Sequence, residues 1–131
     1  MSLNLAIVGA TGAVGREILA VLEQRSVPVA KLRLFASARS AGGTITFRGT
    51  KIPIEALPEG EPKARTFAGL DAVLLSAGAT ISRRIIPAIV RDGVLAIDNS
   101  SAFREDPKIP LVIPELNGGR IAEALAAGAA P

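Results

Sequence analysis

Three glycines, Gly9, Gly12 and Gly15, stand three residues apart, after an apolar run and at the start of a stretch with helical period. Each position has a physical use. A glycine directly after a strand lets the chain leave through torsions that a side chain disfavours. The second lets backbone come close to a pyrophosphate, and the third lets helix and strand pack tightly. Unpaired N–H groups at the helix start, from Thr11 through Gly12 and Ala13 to Val14, point at an anion, and the helix dipole favours negative charge there. The Thr11 hydroxyl adds a donor. A tight strand-to-helix turn with no ligand carries the same glycines, so the motif indicates a dinucleotide fold and leaves the reaction open.

Two further groups could do chemistry. The stretch FASARSAG, residues 35–42, ends the next apolar run without an Asp or Glu. A carboxylate there would hold the ribose hydroxyls of NAD. Arg39 stands there instead, flanked by Ser37 and Ser40, which suits a 2′-phosphate because a guanidinium donates two parallel bonds to phosphate. The expected cofactor is therefore NADP, with a solvated basic loop as the alternative. Residues 98–104, DNSSAFR, follow another apolar run. Asn99, Ser100 and Ser101 are small polar groups and Arg104 is a cation suited to phosphate, in a loop where open parallel sheets bind ligands. A capped loop with one surface arginine reads the same way.

These loops need a scaffold. Residues 3–8 read as a strand buried on both faces, as in a parallel sheet. From Gly12 the period changes, and Val14, Ile18, Val21 and Leu22 share one helical face. That helix is expected to stop before Ser26-Val27-Pro28. Strands are expected over 32–36, 72–75 and 94–97, and 37–43 is a loop. Residues 44–47 and 51–54 flank Arg48-Gly49-Thr50 as a small hairpin. Residues 56–65, with Pro58, Gly60 and Pro62, read as a surface connection. Ile81, Ile85 and Ile89 predict a second helix, stopped by Asp92-Gly93. Pro87 should kink it or delay its effective start. Residues 111–113 are a short extended piece, and Asn117 is the expected N-cap of a last helix carrying Ile121 and Leu125. Alternating strands and helices indicate an α/β class, a Rossmann-like doubly wound, mostly parallel sheet with a small β-hairpin insertion.

Composition narrows the rest. The chain has 131 residues, enough for about one domain with a real core. Its net charge of +3 is modest, and its only aromatics are four phenylalanines. Basic residues are scattered apart from Arg83-Arg84, so nucleic acid is not the expected partner. Without cysteine there is no disulfide framework or thiolate metal site, and no carboxylate cluster suggests a metal. Apolar runs are too short for a bilayer span, and no signal-peptide pattern opens the chain. A cytoplasmic location is the expectation.

Taken together, GATGAVG at 9–15, ASARSAG at 36–42, SAG at 76–78, DNSSAFR at 98–104 and VIPELN at 112–117 resemble the amino-terminal part of aspartate-semialdehyde dehydrogenase, in order and over nearly the whole chain. The resemblance implies an NADPH-dependent enzyme of lysine, methionine and threonine biosynthesis that reduces aspartyl phosphate to the semialdehyde and phosphate. It implies that Gly9, Thr11, Gly12, Ala13 and Val14 bind the cofactor phosphates, and that Arg39 and Ser40 hold the 2′-phosphate with Ser37 nearby. Ser76, Ala77, Gly78 and Thr80 would lie toward the nicotinamide. Arg104 would bind the substrate phosphate, with Asn99 close to it. Pro114, Glu115 and Asn117 match a segment with a mainly structural role. The full-length family member is implied to be a homo-oligomer acting on a small acyl phosphate.

The family attacks the acyl phosphate with a cysteine thiolate and uses a histidine as acid–base, and this chain has neither. Serines such as Ser100 lack a histidine to activate them. The expectation is that residues 1–131 are a dinucleotide-binding domain without the catalytic and dimerisation domain. Such a fragment should expose an apolar patch, with self-association as a consequence. Rival readings are an N-acetyl-glutamyl-phosphate reductase, whose glycine turn typically carries an aromatic where Ala13-Val14 stand, and a non-catalytic nucleotide-binding module of the same fold. An extended short-chain dehydrogenase needs a catalytic tyrosine, and this chain has none.

Overall fold

The structure is a computed structural model that describes residues 1–126. Residues 127–131, which the expected domain includes, lie outside the described residues.

The run LNLAIV forms β1 (Leu3–Val8). Leu5, Ala6, Ile7 and Val8 are all buried, which only a central strand covered on both faces achieves. β1 pairs in parallel with β2 (Val29–Ala36) on one side and β5 (Ala72–Leu75) on the other. Beyond β5 lies β6 (Leu95–Asp98), also parallel. With β3 (Thr44–Phe47) and β4 (Thr50–Ala56) the sheet order is β3-β4-β2-β1-β5-β6. Alternate residues of β1 enter two cores. Leu5 and Ile7 pack with Leu19 and Leu22 of α1 (Ala13–Gln24). Ala6 and Val8 pack with Ile85 and Ile89 of α2 (Ala79–Arg91). The expected doubly wound α/β sheet is therefore present.

Four local details differ from the sequence reading. First, α1 turns Gly15, Ile18, Leu19 and Leu22 to the sheet and leaves Val14 and Val21 exposed. The face is rotated because the start of the helix must bring Gly15, not Val14, against the β1 turn. Second, the expected hairpin forms from β3 and β4, and its second strand takes in Thr50, which was expected in the turn. β4 pairs in parallel with β2, so it is a strand of the main sheet and β3 is its antiparallel edge. The turn is the two residues Arg48 and Gly49, at φ 49° and 79°, the left-handed pair that matches strand twist in a tight hairpin. The Arg48 guanidinium also donates to the Leu22 carbonyl at 2.8 Å, tying the hairpin to α1.

Third, α2 runs from Ala79 to Arg91 with Pro87 inside it, so the proline does not delay its start. Pro87 and Arg83 are both exposed, and water can supply the donor that the ring removes from the Arg83 carbonyl. Fourth, Asn117 does not cap the last helix. It ends α3 (Pro114–Asn117), and its amide reaches back, accepting from the Ile113 N–H at 2.7 Å and donating to the Leu111 carbonyl at 2.9 Å. That clip satisfies the extended piece before it, which has no sheet partner. α4 (Gly119–Ala126) follows directly. An apolar groove of about 570 Å³ runs between β6 and these last elements, lined by Ile97, Leu111, Ile113, Ile121 and Leu125 among others. No helix among the described residues is long and apolar enough to cross a membrane.

The connection 57–71 has no strand or helix of its own. α2 supplies its partners. Arg91 donates to the carbonyls of Pro62 and Lys63. Asp92 accepts from the amides of Arg65 at 3.0 Å and Phe67 at 2.9 Å, with its side chain only 4% exposed. Burial pushes the Asp92 carboxyl up, but the Phe67 and Arg65 amides and the charges of Arg91 and Arg65 together bring it below the ordinary value. A carboxyl whose folded pKa is depressed stabilises the fold above its unfolded pKa and loses that contribution as pH falls through the folded one. Asp92→Asn should therefore lower the Tm at neutral pH by several degrees, since a buried amide loses its acceptor at about 1–3 kcal/mol. The gap from the parent should close below roughly pH 4 in a thermal-melt series. A gap that stays constant into acid would show that the charge of Asp92 is not what holds the loop.

Candidate functional site

All the loops expected to bind ligand leave the carboxyl ends of parallel strands, at one edge of the sheet. Gly9–Gly12 follow β1, Ser37–Ser40 follow β2, Ser76–Gly78 follow β5 and Asn99–Arg104 follow β6. This is the edge at which open α/β sheets bind ligands.

The glycine turn is set by backbone contacts. Gly9 sits at φ +86°, and a Cβ on it would stand 2.8 Å from the Ser76 carbonyl oxygen. A Cβ on Gly15 would stand 2.2 Å from the Gly9 carbonyl oxygen. Both glycines are demanded by the protein itself. Gly12 is different. Its φ is −74°, it is exposed, and its nearest neighbour to an added Cβ would be at an ordinary 3.5 Å. No side-chain clash requires glycine there, and the space beside it is open. The first intrahelical bond runs from Arg16 N–H to the Gly12 carbonyl at 3.0 Å, so the amides of Ala13 and Val14 precede the helix ladder. Both residues are exposed, no side chain caps the helix and no acid occupies its first turn. The positive end of α1 is thus open to an anion. Thr11 is half-buried beside it, with its carbonyl accepting from the Arg16 guanidinium at 3.2 Å.

A cavity of about 330 Å³ opens at the same edge. Of the expected residues, Gly9, Ser37 and Ala77 line it. Ser37 starts a turn in which its carbonyl accepts the Ser40 amide at 2.9 Å. Arg39 lies in that turn, exposed, and among the described residues it makes no ion pair. Ser76 is held to β1 through its amide, at 2.9 Å from the Val8 carbonyl. Gly78, at φ +90°, and exposed Thr80 open α2, again with no side-chain cap. Leu57, Pro58, Glu59, Ile81 and Arg84 line the cavity too and were not anticipated. The available signal was β4: a strand parallel to β2 must deliver its following loop to the same edge.

Asn99 and Arg104 belong to a different space, the groove beside β6, and α2 contributes residues to both spaces. The loop is built around Asp98. Its Oδ1 accepts from Ser82 Oγ at 2.8 Å and from the Ser100 amide at 2.9 Å, and its Oδ2 accepts from Ser100 Oγ at 2.7 Å. Ser82, on α2, is fully buried. Arg104 donates one guanidinium N–H to the Asn99 carbonyl at 3.1 Å and stays exposed, and among the described residues it makes no ion pair. Asp98, within the DNSSAFR stretch, is thus the organiser that the sequence reading did not single out. Among the described residues no cluster of His, Cys, Asp or Glu could hold a metal.

The contrast between the glycines is testable. Gly15→Ala forces a side chain into fixed backbone and should cost about 3 kcal/mol, the upper end of overpacking. Gly12→Ala should cost only about 1 kcal/mol, the preference for glycine over alanine at an N-cap, while weakening nucleotide binding. Equal melting losses for the two variants would contradict the assignment of Gly12 to a ligand.

Comparison with known proteins agrees with this geometry. Residues 4–124 match the family described as semialdehyde dehydrogenase, NAD binding domain. The aspartate-semialdehyde dehydrogenase of Aquifex aeolicus is 50% identical over 117 residues, 89% of this chain and 33% of that protein. That of Synechocystis is 49% identical over 115 residues, 88% of this chain and 32% of that protein. The chain thus spans about a third of the length of these relatives. Among solved structures, aspartate semialdehyde dehydrogenase II of Vibrio cholerae, complexed with ASA, superposes with a TM-score of 0.86 at 42% identity, covering 95% of this chain and 39% of that one. The Candida albicans enzyme with NADP shares the fold at a TM-score of 0.71 and 22% identity, over 98% of this chain and 40% of that one. Fold, glycine turn and sequence matches converge: the chain belongs to the semialdehyde dehydrogenase family, through that family's NAD-binding domain.

Proposed function

We propose that this chain is the NADP(H)-binding part of an aspartate-semialdehyde dehydrogenase, the enzyme that reduces aspartyl phosphate to aspartate semialdehyde and phosphate. Relatives at 45–50% identity carry that name, which favours this reading over an N-acetyl-glutamyl-phosphate reductase or a non-catalytic module. The observation that carries the cofactor choice is Arg39. It stands exposed and without an ion pair among the described residues, in the turn after β2, with Ser37 and Ser40 beside it and no carboxylate at the strand end.

The chain's own groups fit such a ligand. Gly12 leaves room for a pyrophosphate, and the amides of Ala13 and Val14 with the open end of α1 would neutralise it. Thr11 offers its hydroxyl, and Gly9 keeps the turn close to Ser76. Arg39 and the two serines would hold the 2′-phosphate. Ser76, Ala77, Gly78 and Thr80 would border the nicotinamide end. The bound cofactor supplies the hydride. Asn99 and Arg104 would hold the phosphate of the substrate, with Asp98 and Ser82 fixing the loop that carries them. The chain contains neither cysteine nor histidine, so these residues bind and orient, while the nucleophile and the acid–base group belong to the remainder of the family enzyme.

Calorimetric titration tests the cofactor choice. The parent chain should bind NADPH more tightly than NADH. Arg39→Ala should weaken NADPH about 10- to 100-fold, the value of a charge-assisted phosphate contact of about 1.5–3 kcal/mol, and leave NADH nearly unaffected. A parent that binds both equally, or a variant that loses both equally, would remove Arg39 from the cofactor. The chain alone should bind NADP(H) without turning over aspartate semialdehyde, as followed by NADPH absorbance.

A further inference from the structure

We propose that Arg84 is a positioning residue that fixes the base-binding end of the nucleotide cavity by tying the 58–60 turn to α2. The inference rests on the NADP(H) reading above and names the residue that shapes one end of that site. After β4, the Leu57 amide donates to the Ala36 carbonyl at 2.8 Å, holding the chain beside the end of β2. From Pro58 onward the backbone leaves the sheet. Arg84 then supplies its anchor: the same guanidinium nitrogen, Nη1, donates to the Pro58 carbonyl and to the Gly60 carbonyl, the latter at 2.6 Å. Arg84 is half-buried and forms no salt bridge among the described residues, so carbonyl dipoles are its partners.

The turn so held lines the cavity. Leu57 and Pro58 line it together with Ile81 of α2, and Arg84, Ser37 and Ala38 line it too. Apolar side chains from two elements around one cavity suit a heteroaromatic ring. The ring that fits the position is the adenine of the dinucleotide, because Arg39, the expected 2′-phosphate ligand, follows directly on Ala38. The rest of the connection is held by other groups, Arg91 on the carbonyls of Pro62 and Lys63 and Asp92 on the amides of Arg65 and Phe67. Loss of Arg84 should therefore loosen the 58–60 wall alone.

The test compares the parent chain with Arg84→Met and Arg84→Lys. Titration uses NADPH, 2′,5′-ADP and inorganic pyrophosphate, the last having no base. Amide hydrogen exchange at Leu57, whose N–H bonds to the Ala36 carbonyl beside the turn, reads the wall without ligand. In Arg84→Met, NADPH and 2′,5′-ADP should each bind about tenfold more weakly, pyrophosphate should bind within about twofold of the parent, and exchange should speed up at Leu57 but not at Arg65 and Phe67, whose amides are held by Asp92. Arg84→Lys, which keeps a donor, should recover part of both effects. Equal weakening of pyrophosphate, unchanged NADPH affinity, or unchanged exchange at Leu57 would overturn the proposal. A parent chain that binds no nucleotide would strike down the cofactor reading and this inference with it, whereas an Arg84→Met variant matching a nucleotide-binding parent strikes down this inference alone.

Discussion

Three stretches of main chain meet at the carboxyl end of β1 with no side chain between them. The Gly9 carbonyl lies where a Cβ on residue 15 would come within 2.2 Å, and the Ser76 carbonyl lies 2.8 Å from where a Cβ on residue 9 would stand. This contact fixes how α1 enters the sheet and how closely β5 and its loop approach β1. The rotation of α1 follows from it, and with that rotation the choice of Leu19 and Leu22 as core residues over Val14 and Val21. The same contact aims the uncapped start of α1 along the sheet edge where the other loops arrive. Packing and the exposure of the helix start are in this sense one constraint: bringing the helix close enough to bury its apolar face also presents its free amides.

The second organiser is α2. Its apolar side, with Ile85 and Ile89, fills the core on one face of the sheet. Its polar residues reach three different loops. Ser82 holds Asp98 and so the DNSSAFR loop, Arg84 holds Pro58 and Gly60, and Arg91 with Asp92 at the helix end holds residues 62–67. Long connections without secondary structure must find partners for their backbone groups, and here one helix supplies them. The helix thereby lines both the cavity beside Ser37 and the groove that holds Arg104.

Much of this was legible in the residues. The alternation of buried strands with helical periods indicated a doubly wound sheet, because a parallel sheet must be covered on both faces and such strands lose the in–out alternation. The glycine spacing and the arginine between two serines pointed to loops that the structure brings to one edge of the sheet. The hairpin's place was less legible: strand period shows that 50–56 is extended but not which strand it joins, and its parallel pairing with β2 depends on the crossover between them. Asn117 was misread for a similar reason. An Asn before a helix suits an N-cap, yet the unpaired backbone at Ile113 and Leu111 competes for the same amide and wins.

What the sequence alone determined is the set of local conformations and the chemistry carried by single residues: positive φ at Gly9, a cation and no carboxylate after β2, and no cysteine or histidine anywhere in the chain. These are properties of a residue and its neighbours along the chain, so they survive without knowledge of the fold. Tertiary structure decided which glycines are forced by close backbone contacts and which stands open, that Asp98 holds the start of the Arg104 loop, and that the proline-rich connection lines the cavity and is not a mere surface crossing. Those outcomes turn on contacts between residues far apart in sequence, such as Arg84 with Gly60 and Ser82 with Asp98. Local periodicity carries no record of such pairs, because what selects them is the need of distant backbone and carboxylate groups for partners once the sheet has closed.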